Sequence, residues 1–187
     1  YIENHESEMI EDLKSLIRIP SEKQAAEPGK PFGAPAAEAL AQGIEILEKY
    51  GFAVTNYDNY AIAADFNQEE KGLDILAHLD VVPAGDPNVE PEIVAETMGQ
   101  LIKEGKMFGR GTADDKGPAI AAIYAMRAVK ELGYPLKKNV RLVLGSDEEC
   151  GSSDLEYYYK KEVEAPCTFS PDAEFPVINI EKGGMCG

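Results

Sequence analysis

Apolar residues recur at Met9, Ile10, Leu13, Leu16 and Ile17 among charged positions, a spacing that predicts one buried face of a helix over 6–19. Pro20 limits its extension. Residues 25–35, with Pro28, Gly29, Pro31, Gly33 and Pro35, read as a loop, and 36–50 as a second helix stopped by Gly51. Residues 52–57 and 61–66 read as strands joined at Asp58-Asn59. The mostly apolar run 73–79 has the pattern of a strand buried on both faces, and 140–144 repeats it. Residues 83–106 are polar and irregular, 118–132 form a helix pattern ended by Gly133, and 153–163 form another. Short strands are expected at 167–169 and 177–180. Strands alternating with helices predict an α/β fold, a mostly parallel central sheet flanked by helices, in a single domain over 1–187. No internal repeat or low-complexity tract interrupts it.

Charge narrows the choice of partners. The formal net charge is −16, from 34 acidic against 18 basic residues. Such a field repels nucleic acid and anionic membranes, so neither is expected as a partner. No apolar run approaches the ~20 residues that span a bilayer, and residues 1–20 lack the basic start and apolar stretch of a signal peptide. Cys150, Cys167 and Cys186 are odd in number and match no metal-knuckle spacing. They are expected to be buried or idle reduced thiols in a cytoplasmic protein, neither ligands nor nucleophiles.

Candidate chemistry lies where predicted buried strands end or a helix begins, the position at which open α/β sheets carry their sites. His78 and Asp80 are two residues apart, and in an extended segment such side chains share a face. The carboxylate could then fix the imidazole tautomer, as behind a zinc-bound histidine; a capped strand end with an incidental histidine is the plainer reading. Asp114-Asp115 lie among Gly109, Gly111 and Gly117 just before a helix. One acid there would be a cap; two flanked by glycines suggest close backbone approach to a site. Glu148-Glu149 follow a strand. Adjacent carboxylates repel unless a cation or proton compensates, and a hydrolytic site needs both a ligand and a general base. Adjacent acids also occur in ordinary turns of an acidic surface. Asp172 follows the strand at 167–169. Taken together, one histidine, several carboxylates and no usable thiol form a set suited to Zn²⁺, Mn²⁺ or Co²⁺. Two metals sharing one carboxylate would absorb several of these charges.

The stretches HLDVVPAGD from His78, GRGTADDKGP from Gly109, SDEECGSSD from Ser146 and SPDAEFP from Ser170 resemble, in order, four signatures of the di-zinc aminoacylase, carboxypeptidase G and carnosinase family of metallopeptidases. Within that family, the bacterial PepV-type dipeptidases are the most similar. The resemblance implies that His78 and Asp172 ligate one metal and that Asp80 orients His78. Asp114 would bridge two Zn²⁺ ions through a cis peptide bond to Asp115, and Glu149 would ligate the second. Glu148 would be the catalytic general base. It implies hydrolysis of dipeptides, small peptides being the partners. Removal of an acyl group or of a C-terminal residue is the alternative within the family, and Asp at 172 resembles its dipeptidases and aminopeptidases. Outside it, the alternative is a non-catalytic metal-binding or interaction module.

Two departures qualify the resemblance. The Gly-Trp and Pro-Phe that the family carries between the first two signatures have no counterpart, and there is no Trp. The only histidines are His5 and His78, whereas the family adds a distal histidine ligand and a lid or dimerisation domain. These 187 residues are therefore expected to be the N-terminal portion of the catalytic domain, to bind at most one metal tightly and to show little activity alone. Repulsion among Asp114, Glu148 and Glu149 is expected to raise a pKa there.

Overall fold

The computed structural model describes residues 1–83, 101–103 and 106–172. In chain order the elements are α1 (Ile2–Ile17), α2 (Ala34–Lys49), β1 (Ala53–Tyr57), β2 (Ala61–Asp65), β3 (Lys71–His78), β4 (Leu101–Lys103), β5 (Lys106–Phe108), α3 (Lys116–Glu131), β6 (Asn139–Gly145), a 3-10 turn (Glu148–Cys150), α4 (Ser153–Tyr159) and β7 (Thr168–Phe169). The main sheet has five strands in the order β1-β2-β6-β3-β7. β3 pairs in parallel with both β6 and β7, while β1-β2 and β2-β6 are antiparallel. The α/β architecture is the expected one, but the described sheet is mixed where a mostly parallel one was expected, its two parallel pairings running through the part that ends in His78 and precedes Glu148 and Asp172. Asp58 and Asn59, at φ 54° and 59°, make the tight turn between β1 and β2 that their sequence suggested.

Side chains alternate across the sheet, so each strand feeds two cores. Ile62, Ala64, Leu142 and Leu144 face Leu16 of α1, Leu40 and Leu47 of α2, and Ile120 and Ile123 of α3. Ala61, Ala63 and Val143 face the other way, against Tyr57 and Tyr158 of α4. Helices therefore cover both faces of the sheet centre, as its apolar strands require. Lys116, fully buried at the start of α3, donates Nζ hydrogen bonds to the carbonyls of Leu16 (3.0 Å) and Ile19 (2.8 Å). These carbonyls lie at the end of α1, where intrahelical donors run out.

Two elements differ from the sequence-based expectation. Residues 101–103 and Lys106, in the stretch expected to be irregular, belong with Met107 and Phe108 to a separate antiparallel ribbon that sets Leu101 opposite Phe108. Strands of three residues are too short to carry a readable alternation. α4 ends at Tyr159 instead of continuing to 163. Beyond it, Glu162 is drawn to the sheet by Lys71 Nζ (2.8 Å), Arg141 (2.8 Å) and Tyr57 OH (2.8 Å). The strand expected at 177–180 and the remainder of 84–100 lie outside the described residues.

That Glu162 cluster makes stability pH-dependent. Burial works to raise the Glu162 pKa, but hydrogen bonds from Lys71, Tyr57 and Arg141 outweigh it and hold the group at about 2, below its ordinary 4.5. A depressed carboxylate stabilises the fold above its unfolded pKa and loses that contribution as pH falls through the folded value. Glu162→Gln is thus expected to destabilise the protein at pH 7 by about 1 kcal/mol after allowance for solvent screening. The difference from wild type should vanish as pH falls from 4.5 toward 2. Urea unfolding of both proteins across that range measures it, and a difference independent of pH would count against the assignment.

Candidate active site

Strand ends converge on one edge of the sheet. His78 is the last residue of β3, Glu148 and Glu149 follow β6, and Asp172 follows β7. Asp114 arrives from the turn ahead of α3. That turn is tight: Gly117 N–H donates to Gly111 O (3.1 Å), and a Cβ at Gly117 would collide with the Thr112 carbonyl. The Asp114–Asp115 peptide bond is cis, as the resemblance implied.

His78 is the centre of the arrangement and is 3% exposed. Its Nδ1 lies 3.1 Å from the Asp80 carbonyl oxygen and 3.3 Å from Asp80 Oδ1. Its Nε2 points at three carboxylates: Asp114 Oδ1 at 3.1 Å, Asp172 Oδ2 at 3.5 Å and Glu148 Oε2 at 3.8 Å. None of them meets hydrogen-bond geometry, so among the described residues Nε2 is a buried nitrogen without a hydrogen-bond partner. One ligand atom each from His78, Asp114 and Asp172 lie within 4.8 Å of one another. An orphaned imidazole nitrogen ringed by carboxylate oxygens suits a divalent cation of the Zn²⁺ class. Glu149 stands outside this close group. Its backbone is held instead, its N–H donating to Asp80 Oδ2 (3.1 Å) beside that of Glu148 to Oδ1 (3.2 Å).

The charges explain the titration pattern. Burial opposes a charged His78 ring, but the hydrogen bond to Asp80 and the negative charges of Asp80, Asp115 and Glu148 outweigh it, raising the pKa to about 10. Glu148 and Glu149 are both raised, first by burial. For Glu149, Asp114 is the next contributor; for Glu148, Asp172, Asp80 and Asp114 add to the rise against the charge of His78. The direction is the expected one, but withdrawal from water is a larger cause than the mutual repulsion.

Three acids around the cluster are buried with no sign of it in the sequence. Asp115, fully buried, turns away from the cluster and accepts the His78 backbone N–H (3.0 Å); burial raises its pKa to about 7. Asp147, also fully buried, is met by Lys23 Nζ at 2.6 Å. Asp154 accepts the N–H groups of Ser146 and Asp147. Their common signal would have been acids beside a strand end, which the exposed acids of this chain share. Cys150 and Cys167 are free and exposed, apart from the cluster; Cys186 lies outside the described residues. Among the described residues, no helix is long and apolar enough to cross a membrane.

Comparison with known proteins bears on this geometry. The chain is 39% identical over 178 residues to the putative dipeptidase YtjP of Bacillus subtilis (strain 168), covering 94% of this chain and 37% of that protein. It is 38% identical over 177 residues to a Beta-Ala-Xaa dipeptidase of Lactobacillus delbrueckii subsp. lactis, again covering 94% and 37%. The chain thus spans little more than a third of the length of these relatives. The crystal structure of human carnosine dipeptidase 1 superposes with a TM-score of 0.77 at 25% identity, over 92% of this chain and 40% of that one. The profile of peptidase family M20/M25/M40 matches residues 75–186, a span that begins inside β3 and takes in His78, Asp80, Asp114, Glu148, Glu149 and Asp172. On that match, the chain belongs to peptidase family M20/M25/M40.

Proposed function

We propose that this chain provides the metal-binding portion of a cytoplasmic dipeptidase, acting on small peptides. One observation carries the reading: the buried Nε2 of His78, without a hydrogen-bond partner among the described residues, faces Asp114, Asp172 and Glu148 within 3.8 Å, with Asp80 behind the ring. His78, Asp114 and Asp172 would hold one Zn²⁺, with Mn²⁺ or Co²⁺ as substitutes. Asp114 and Glu149, with one further donor, would hold a second. Bound there, the cations supply Lewis acidity toward the scissile carbonyl and toward water.

The chain's own groups do the rest. Asp80 holds Nδ1 of His78 and leaves Nε2 as the donor atom. Glu148, 45% exposed, reaches the open side of the cluster. Its carboxylate takes the proton of the attacking water as the C–O bond forms, and returns it to the leaving amine nitrogen as the C–N bond breaks. Asp172, carried on the residues after β7, completes the ligand set from a third strand end. The names of the relatives, putative dipeptidase and Beta-Ala-Xaa dipeptidase, favour dipeptides over N-acyl amino acids.

The test is a substrate panel on the full-length protein, comparing free dipeptides with N-acyl amino acids and C-terminally extended peptides. Free dipeptides are expected to be turned over with the highest kcat/KM. Preference for N-acyl amino acids would replace the reading with an amidohydrolase, and no hydrolysis of any of them would leave a non-catalytic metal-binding module.

A further inference from the structure

The turn that delivers Glu148 and Glu149 presents four consecutive backbone N–H groups, Ser146 to Glu149, and two buried carboxylates accept all four. Asp80 takes those of Glu148 and Glu149. Asp154 Oδ2 takes those of Ser146 (2.6 Å) and Asp147 (2.9 Å). Asp154 is 1% exposed, and its Oδ1 accepts the Leu155 N–H (2.7 Å). The strand end is shaped to admit it, since a Cβ at Gly145 would collide with the Asp154 carboxylate. The Asp147 side chain is occupied elsewhere, with Ser153 and Lys23. It is therefore not a substitute acceptor for this pair of amides.

We propose that Asp154 is a positioning residue for Glu148 and Glu149. It holds the first half of the turn whose second half Asp80 holds, so that the two glutamates are set against His78 and Asp114 before substrate arrives. The inference rests on the roles proposed above for those glutamates. Removing the carboxylate leaves two buried N–H groups without acceptors, a state that drives local rearrangement in search of new ones. The rearrangement would fall on the turn itself, because β6 ahead of it is locked between β2 and β3. The cluster of His78, Asp114 and Asp172 draws no residue from this turn.

In the full-length Zn²⁺ enzyme, Asp154→Ala is expected to lower kcat roughly 10²-fold, the cost of a misplacement of about 1 Å. KM and the affinity for the first zinc equivalent should hold. Asp154→Asn keeps one oxygen that can accept both N–H groups, loses only the acceptor for the Leu155 N–H, and should restore most of the lost kcat. Gly145→Ala displaces the intact carboxylate and should repeat the loss, which covers the case of an Asp154→Ala protein that does not fold. Wild-type kcat in soluble Asp154→Ala or Gly145→Ala protein, even with a lowered Tm, would overturn the proposal and leave Asp154 a purely structural residue. Glu148→Gln, assayed alongside, separates the two levels. If it retains turnover, the general-base assignment fails; if it is inactive while Asp154→Ala is active, only the positioning role fails.

Discussion

Glu148→Gln is expected to lower kcat for dipeptide hydrolysis by roughly 10³-fold, within the range typical for loss of a general base, while leaving bound metal nearly unchanged. The substitution preserves volume and removes the acceptor for the proton of water. Glu148 Oε2 lies 3.8 Å from His78 Nε2, close enough to serve the same reacting centre, yet the close group of proposed ligands, His78, Asp114 and Asp172, forms without it. The backbone N–H of Glu148 stays anchored on Asp80, so the turn has no reason to move. Kinetics and elemental analysis on the same sample measure the two quantities. Metal loss in proportion to lost activity would show that Glu148 is a ligand and that the base lies elsewhere.

Asp114→Ala should do the reverse and strip metal first. Asp114 Oδ1 is the nearest carboxylate oxygen to the orphaned Nε2, at 3.1 Å. As the proposed shared ligand, it lends charge to both metal positions. Its removal is expected to weaken zinc binding by more than about 10²-fold, beyond the 10–100-fold typical of an outer partner. Asp80→Ala supplies that comparison, since Asp80 touches the other ring nitrogen and the amides of Glu148 and Glu149. Calorimetric titration with Zn²⁺ should rank the variants Asp114→Ala, Asp80→Ala and Glu148→Gln in falling order of damage. If Asp80→Ala loses more affinity than Asp114→Ala, the division between ligand and orienting group is wrong.

Much of the site was legible because its signals are local. His78 and Asp80 share a face by the two-residue period of an extended chain, and buried strands announce themselves as apolar runs whose polar ends mark the sheet edge. Read from the residues alone, Asp114-Asp115 was legible only as a pair, and it was the family resemblance that put Asp114 at the metals. Which acid faces His78 and which turns inward depends on a contact between residues 37 apart in sequence, the His78 N–H to Asp115 Oδ2 hydrogen bond. The end of α4 was misplaced for a similar reason: Glu162 continues the helical pattern, but its partners Lys71 and Arg141 lie on the sheet.

The sequence by itself determined the class of fold, the family and the residue types gathered for chemistry, because periodicity, strand ends and motif order are written along the chain. Only the tertiary structure decided which of the 34 acidic residues leave water. Nothing in the sequence shows that Asp115, Asp147 and Asp154 are buried, yet each is at most 1% exposed. Asp115 and Asp154 meet backbone donors, while Asp147 meets Ser153 and the ammonium of Lys23. A carboxylate can be buried only where such partners replace its hydration, and partners brought together by folding are not a property of the local sequence.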